Sequence, residues 1–157
     1  MTLKEFIIQH NREATDEVFR QTKALAADKV DWSPGDHARS ALKQLAECSL
    51  SPLWAIDLMV KRKFEMSEEL MAEFQSMTES LKTIEECEKT AYENLAKLEE
   101  AIRAFPESDM DQTIHIPFGA VQDRTYASVM ALQFWNATYH SGQICYIQLL
   151  AGDTEMH

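Results

Sequence analysis

Hydrophobic residues recur at intervals of three, four and seven along most of this chain, a spacing that predicts amphipathic helices. In the first segment, over about residues 3–28, the residues that share one helical face are Ile7, Ala14, Val18 and Leu25. Thr2 and Glu5 stand at its start in a capping-box pattern, in which two side chains satisfy free backbone N–H groups. Pro34 and Gly35 then interrupt the pattern and separate this helix from the next.

A second helix is predicted from about His37 to Lys63. Its apolar side carries Leu42, Leu45, Leu53, Ile56 and Val60. Pro52 lies inside this pattern, where it removes one backbone hydrogen-bond donor. After this helix, Ser67 is expected to cap a short helix that ends near Met77.

A third long helix is predicted to begin after Thr78 and to end before Pro106. Its apolar face carries Leu81, Ile84, Ala91, Leu95, Leu98 and Ile102. The outer face of the same segment is rich in Glu and Lys, which is typical of a solvated helix surface.

The end of the chain predicts one more helix after a long connection. Residues 113–119 read as an extended crossover. A helix is then predicted over about 124–150, with Asp123 as its N-cap and Gly152 just beyond its C-terminal end. Four main helices with a long crossover before the last one predict a single all-α domain over residues 1–157, a four-helix bundle.

Composition supports this fold and limits the partners. The 157 residues include four Gly and four Pro, too few for the many turns of a β-sandwich or barrel. The formal net charge of −11 argues against binding to nucleic acid and to an anionic membrane surface, and no apolar run is long enough to span a membrane. Three cysteines without a paired motif are typical of reduced thiols, and no signal peptide is recognisable. These features predict a cytoplasmic protein.

A polar cluster on the last predicted helix, from Trp135 to Gln143, is the strongest candidate for a functional site. Asn136 and His140 are four residues apart, so both project from the same helical face. Glu47 lies in an apolar stretch of the second helix, where a carboxylate needs a polar partner. We therefore expect these three side chains to form a metal or small-ligand site. The side chains expected to wall its pocket are Trp54, Trp135 and Tyr139.

The segment from Tyr139 to Asp153, YHSGQICYIQLLAGD, resembles the closing signature of the DinB-like family of helical bundles. Trp32-Ser33-Pro34 and the stretch from Arg39 to Ala46 resemble the start of that family's second helix. The family also includes bacillithiol- and mycothiol-dependent transferases. The resemblance covers nearly the whole chain in helix order and implies a four-helix bundle of the DinB-like type.

The resemblance also implies a metal site. The family's usual ligands are three histidines, and the matching positions here are Glu47, Asn136 and His140. Only His140 keeps the ligand type, but carboxylate and amide oxygens are themselves donors for one divalent Zn, Ni, Fe or Mn ion. The implied function is a metal-dependent thiol transferase or hydrolase that takes a small molecule or a thiol cosubstrate. Pairing of bundle helices into a homodimer is implied as well.

A second hypothesis stays open, in which the bundle holds no metal and binds a small molecule or dimerises without catalysis. The replacement of two family histidines by Glu47 and Asn136 favours it. In this alternative His140 is a buried histidine that is hydrogen-bonded to Glu47, and Asn136 bridges two helices by hydrogen bonds.

Other residues are assigned structural roles. Cys48 and Cys145 are expected to be small core residues. Gly142 is expected to let two helices approach closely, because it has no Cβ. His10 lies near the inward face of the first helix and is expected beside the same cavity as the candidate site.

Overall fold

The computed structural model describes residues 1–117, 119, 121–155 and 157, and it is mainly helical. Its helices are α1 (Leu3–Ala24), α2 (Ala41–Lys61), α3 (Glu68–Ser80), α4 (Ile84–Ala104), α5 (Tyr126–Met130) and α6 (Leu132–Leu150). Two short strands, β1 (Thr113–His115) and β2 (Asp123–Thr125), pair antiparallel between α4 and α5. Single 3-10 turns follow α1 and α4, at Ala27–Lys29 and Glu107–Asp109.

The four long helices form a bundle. α1 packs against α4 and α6, and α2 packs against the same two helices, so the order around the bundle is α1, α6, α2, α4. The shorter α3 packs against α2 and has no buried residue. Within the described part of the chain, no helix is long and apolar enough to cross a membrane.

Two hydrophobic clusters fill the bundle on either side of a polar layer. The first cluster includes Ile7, Leu58, Leu98, Ile102 and Val129. The second includes Val18, Phe19, Leu45, Ala91 and Ile144. Buried polar residues lie near the boundary between the two clusters along each helix; they are Asn11, Thr15, Ser49, Asn94 and Gln133. Each has a hydrogen-bond partner in the protein, as buried polar groups require.

Side-chain caps fix where the helices begin. Thr2 and Glu5 form the predicted capping box, in which the Thr2 N–H donates to Glu5 Oε2 at 2.7 Å. Ser67 caps α3, as predicted. The helix α4 begins later than predicted, because Thr83 and Glu86 form a second capping box that the apolar spacing did not indicate.

The buried face of α2 differs from the predicted one beyond Pro52. Leu45 is fully buried, as predicted, but Val60 is 73% exposed. The residues that face the core in this part of α2 are Ala55, Leu58 and Met59. The buried side of α2 includes small side chains such as Ala55. A prediction made from the large apolar residues alone therefore selects the wrong face of the helix beyond Pro52.

The connection between α4 and α6 is extended, as predicted, and it also forms a hairpin that the sequence did not indicate. Phe118 belongs to the predicted crossover and lies outside the described residues. Asp123 is part of β2, so its predicted role as a helix cap is wrong; Thr125 caps α5 instead. Gly152 follows α6 with φ +88°, in agreement with its predicted place after the helix end.

A break at Ala131 divides the predicted last helix into α5 and α6, and α1 holds both sides of this break. Asn11 Nδ2 donates to the Met130 carbonyl at 2.9 Å, and Asn11 Oδ1 accepts from the Phe134 N–H at 2.9 Å. No side chain of its own segment caps α6. Asn11 therefore supplies that cap from another helix.

Candidate functional site

His140 and Glu47 meet inside the bundle and join α6 to α2. His140 Nε2 lies 3.2 Å from Glu47 Oε1. The His140 side chain is only 1% exposed, whereas the Glu47 side chain is 29% exposed. Solvent or a ligand therefore reaches this pair through Glu47.

Two amide side chains orient the imidazole ring. His140 Nδ1 lies 3.0 Å from Gln44 Oε1 and 2.9 Å from Gln143 Oε1. Both partner atoms are acceptors, so Nδ1 carries a proton and Nε2 is turned toward Glu47. Nε2 faces the carboxylate of Glu47, so the imidazole and the carboxylate form one hydrogen-bonded pair between α6 and α2.

Glu47 is ionised at neutral pH. Its hydrogen bond with His140 is the largest influence and lowers its pKa, burial raises the pKa, and Arg39 lowers it further. The net result is a pKa of about 2, well below the ordinary value of 4.5. Arg39 Nη1 donates to Glu47 Oε2, so each carboxylate oxygen has one partner.

Asn136 contacts α2 at Cys48, one residue beyond Glu47. Asn136 Nδ2 lies 3.8 Å from Cys48 Sγ, a weak hydrogen bond that bridges two helices. Cys48 is fully buried, in agreement with its predicted place in the core, and burial raises the pKa of its thiol well above the ordinary value. Cys145 is only half-buried, so the core prediction is wrong for this residue.

A cavity of about 310 Å³, called here the tryptophan cavity, opens beside Glu47 between α2, α3 and α6. Its polar lining consists of Glu47, Ser51 and Asn136. Its apolar lining consists of Trp54, Leu58, Phe64, Met66, Met71, Phe74, Ile116, Leu132 and Trp135. Glu47 is the one charged side chain among the described residues that line this cavity.

Tyr139 lies outside the tryptophan cavity, which corrects the expectation that it forms a wall beside Trp54 and Trp135. Its ring stacks on Trp135, with 5.6 Å between the ring centroids and an interplanar angle of 10°. Side chains four residues apart on a helix touch each other, but they extend over different parts of the surface. Tyr139 consequently lines a separate groove that contains Arg39.

A chain of buried hydrogen bonds connects the tryptophan cavity to α1. The Ser51 hydroxyl contacts Gln133 Oε1, and Gln133 Nε2 donates to Thr15 Oγ1 at 2.9 Å. Ser51 Oγ also lies 3.2 Å from the Cys48 carbonyl. That carbonyl lacks its usual helical donor because Pro52 has no N–H. The single Ser51 hydroxyl proton is shared between Gln133 Oε1 and the Cys48 carbonyl, and the hydroxyl places a polar group in the cavity wall.

Sequence reasoning missed the side chains that hold the Glu47–His140 pair. These are Arg39, Gln44 and Gln143, together with the cavity serine Ser51. Gln44 precedes Glu47 by three residues and Gln143 follows His140 by three, so helical spacing places each glutamine on the same face as its neighbour. Glutamine is common on exposed surfaces, and for this reason its presence alone gave no signal.

His10 and Gly142 lie elsewhere than expected. His10 does not line the tryptophan cavity; its Nδ1 lies 2.8 Å from the Phe6 carbonyl and its ring packs beside Phe6 and Phe134. Gly142 is exposed, and a Cβ built on it would meet no atom within 4 Å. The prediction that Gly142 permits close helix packing is therefore wrong.

Glu47 and His140 present two donor atoms at a spacing that fits one divalent metal. Two ligands ~2.1 Å from a tetrahedral Zn²⁺ lie roughly 3.4 Å apart, close to the 3.2 Å between His140 Nε2 and Glu47 Oε1. In metal-binding histidines, the ring nitrogen that does not bind the metal usually donates to an oxygen, as His140 Nδ1 does here to the two glutamines. Within the described ranges, no group of three or more His, Cys, Asp or Glu side chains is placed to hold a metal ion.

Comparisons with known proteins show the fold. No protein-family profile and no curated protein matches this chain. The crystal structure of a mycothiol-dependent maleylpyruvate isomerase superposes with a TM-score of 0.69 at 13% sequence identity, over 92% of this chain and 61% of the isomerase. A conserved protein from Enterococcus faecalis superposes with a TM-score of 0.68 at 10% identity, over 97% of this chain and 99% of that protein. The chain has the DinB-like helical fold that its sequence predicted, and it spans less than two thirds of the isomerase.

Proposed function

We propose that this protein binds a small molecule in the tryptophan cavity, with the apolar body of the ligand against Trp54 and Trp135 and its polar end at Glu47. The observation that carries the proposal is the lining, which is apolar except for Glu47, Ser51 and Asn136. Binding sites for small molecules are typically apolar spaces of about 300–1,000 Å³ with a few polar groups. The cavity lies at the lower end of this range.

The charge of Glu47 defines the polar end of the ligand. An ionised carboxylate only accepts hydrogen bonds, and each of its oxygens accepts more than one. The ligand must therefore present a donor, such as a hydroxyl, an amine or a thiol. An anionic end is disfavoured here because no positive side chain lines the described part of this cavity.

A second candidate function is that of a DinB-like enzyme, a metal-dependent thiol transferase or hydrolase. The observation that favours it is the orientation of His140, whose Nε2 is directed at Glu47 by Gln44 and Gln143. The similarity in fold to a mycothiol-dependent isomerase is consistent with thiol chemistry.

In this second candidate, His140, Glu47 and Asn136 would hold one divalent ion. Such an ion would supply Lewis-acid activation of a thiol or a water molecule. The protein's own side chains would orient the reacting groups and exclude water. Gln44 and Gln143 hold the imidazole of His140 in place, and the tryptophan cavity shields the apolar part of the substrate from water.

The binding proposal can be tested by fluorescence titration with N-phenyl-1-naphthylamine, a neutral aromatic dye that carries one N–H donor. We expect saturable binding of one dye molecule. Met71→Trp fills the cavity from α3 and should weaken binding at least about tenfold. Met77→Trp makes the same change on α3 outside the cavity and should leave the affinity unchanged. Absence of binding, or equal affinity in both variants, would contradict the proposal.

The metal candidate is tested separately by elemental analysis of protein purified without a histidine tag. After incubation with Zn, Ni, Fe or Mn salts, one equivalent of metal in the unmodified protein and none in His140→Ala would support it. His115→Ala, which removes an exposed histidine, is the matched control and should retain the metal. Unchanged metal content in His140→Ala would exclude His140 as a ligand.

A further inference from the structure

A second concave surface lies on the other side of the Arg39–Glu47 ion pair. It has a volume of about 540 Å³ and is called here the tyrosine groove. The residues that line it include His37, Arg39, Tyr139, Gly142, Gln143 and Tyr146. We propose that the tyrosine groove binds an aromatic carboxylate, with its ring over Gly142 and its carboxylate at Arg39 and Gln143.

The floor of the groove is suited to a flat ring. Tyr139 and Tyr146 are seven residues apart on α6, so they stand about 10 Å apart along the helix axis. Gly142 lies between them, is exposed, and has no atom within 4 Å of the position that a Cβ would occupy. Two exposed phenol rings on either side of bare backbone therefore leave a slot in which an aromatic ring can make edge or face contacts.

The polar side of the groove offers donors to an anion. Arg39 is half exposed and uses one N–H group for Glu47, so other N–H groups of its guanidinium face no partner among the described residues. Gln143 accepts from His140 through Oε1, which leaves its Nε2 without a hydrogen-bond partner in the described part of the chain. A guanidinium with a neighbouring amide is a suitable donor set for a carboxylate.

Charge favours a single carboxylate over a more highly charged ligand. No Asp or Glu is found among the described residues that line the groove, and Arg39 is the charged side chain among them, although the chain carries a net charge of −11. Glu47, on the far side of Arg39, neutralises part of its charge. A monoanion is therefore a better match than a phosphate dianion, which Glu47 would repel more strongly.

The tyrosine groove is distinct from the tryptophan cavity, and this inference does not depend on the function proposed for that cavity. None of the residues that line the cavity also lines the groove among those described. The preferred ligands also differ, because the cavity has a carboxylate at its polar end and the groove has a guanidinium.

Isothermal titration with 2-naphthoate tests the inference, with the neutral 2-naphthylmethanol as the matched ligand. We expect 2-naphthoate to bind and to lose at least about tenfold in affinity in Arg39→Gln. Arg20→Gln removes the same charge from an exposed ion pair on α1 and should not change the affinity. The neutral alcohol should bind the groove at least about tenfold more weakly than the acid.

Gly142→Leu provides an independent variant, because its Cβ would meet no atom within 4 Å and the rest of its side chain would occupy the slot. It should abolish binding of 2-naphthoate and leave the melting temperature no lower than that of the unmodified protein. It should not change binding of N-phenyl-1-naphthylamine in the tryptophan cavity. No binding of 2-naphthoate, unchanged binding in Gly142→Leu, or loss of binding in Met71→Trp instead would overturn the inference.

Discussion

The Asn11 side chain of α1 caps the first turn of α6 by accepting a hydrogen bond from the Phe134 N–H at 2.9 Å. The same amide donates to the Met130 carbonyl on the other side of the break. Together with the Gln133–Thr15 and Gln148–Gln21 hydrogen bonds, this contact sets the register of α6 against α1. Because Asn136 and His140 follow on α6 within two turns, the position of the candidate site depends on Asn11.

Asn11→Ala should destabilise the fold by about 2–4 kcal/mol, since it leaves the buried Met130 carbonyl and the partly buried Phe134 N–H without their side-chain partner. Chemical denaturation measures this loss. Gln9→Ala removes an exposed amide of α1 that contacts Glu13, and its effect should stay within about 0.5 kcal/mol. Equal effects of the two substitutions would show that the cap does not hold α6.

Leu45 and Val60 belong to one predicted apolar side of α2, but only Leu45 is buried. Leu45→Ala should cost about 2–5 kcal/mol of stability because it opens a cavity in the core. Val60→Ala should change stability by less than about 0.5 kcal/mol. The same denaturation measurement checks both, and a large loss for Val60→Ala would contradict the exposure of Val60 on α2.

The lowered pKa of Glu47 predicts the direction in which the stability of the fold changes in acid. The pKa is 4.5 ordinarily and about 2 in the folded chain, so the ionised form stabilises the fold. This contribution is fully present above pH 4.5 and is lost as the pH falls towards 2. Glu47→Gln should therefore lower the melting temperature at neutral pH, and its difference from the unmodified protein should shrink as the pH falls through this window.

Thermal unfolding monitored by circular dichroism from pH 7 to pH 2 measures that difference. Glu93→Gln supplies the baseline, because Glu93 is exposed and has no ion pair or hydrogen bond among the described residues. A difference between Glu47→Gln and the unmodified protein that stays constant down to pH 2 would show that Glu47 is not held ionised by His140 and Arg39.

The sequence predicted the bundle well where large apolar residues mark the buried face. On α1 and α4, Val18 and Leu98 lie at positions where spacing and burial agree. On α2 the agreement is lost beyond Pro52, because small side chains such as Ala55 pack inward there. The caps at Thr83 and Asn11 were missed for a different reason: the first lies in a polar stretch, and the second acts across the bundle.

The candidate site was also predicted only in part from the sequence. The sequence indicated His140 and Glu47 through residue type and surroundings, and the structure brings them to 3.2 Å. The sequence did not indicate Arg39 or Gln143, because their contacts with the Glu47–His140 pair form only when α2 and α6 pack together. Tyr139 was assigned to the wrong surface because a rotation of a few tens of degrees about α6 separates the tryptophan cavity from the tyrosine groove.

The most direct test of ligand binding in the tryptophan cavity uses the three tryptophans of the chain. Trp54 and Trp135 line the cavity, whereas Trp32 lies outside it. The indole N–H signals in a ¹H–¹⁵N NMR spectrum, assigned with single Trp→Phe variants, are followed during a titration with N-phenyl-1-naphthylamine. The account predicts saturable shifts of the Trp54 and Trp135 signals and a stationary Trp32 signal. A shift confined to Trp32, or no shift at saturating dye, would contradict it.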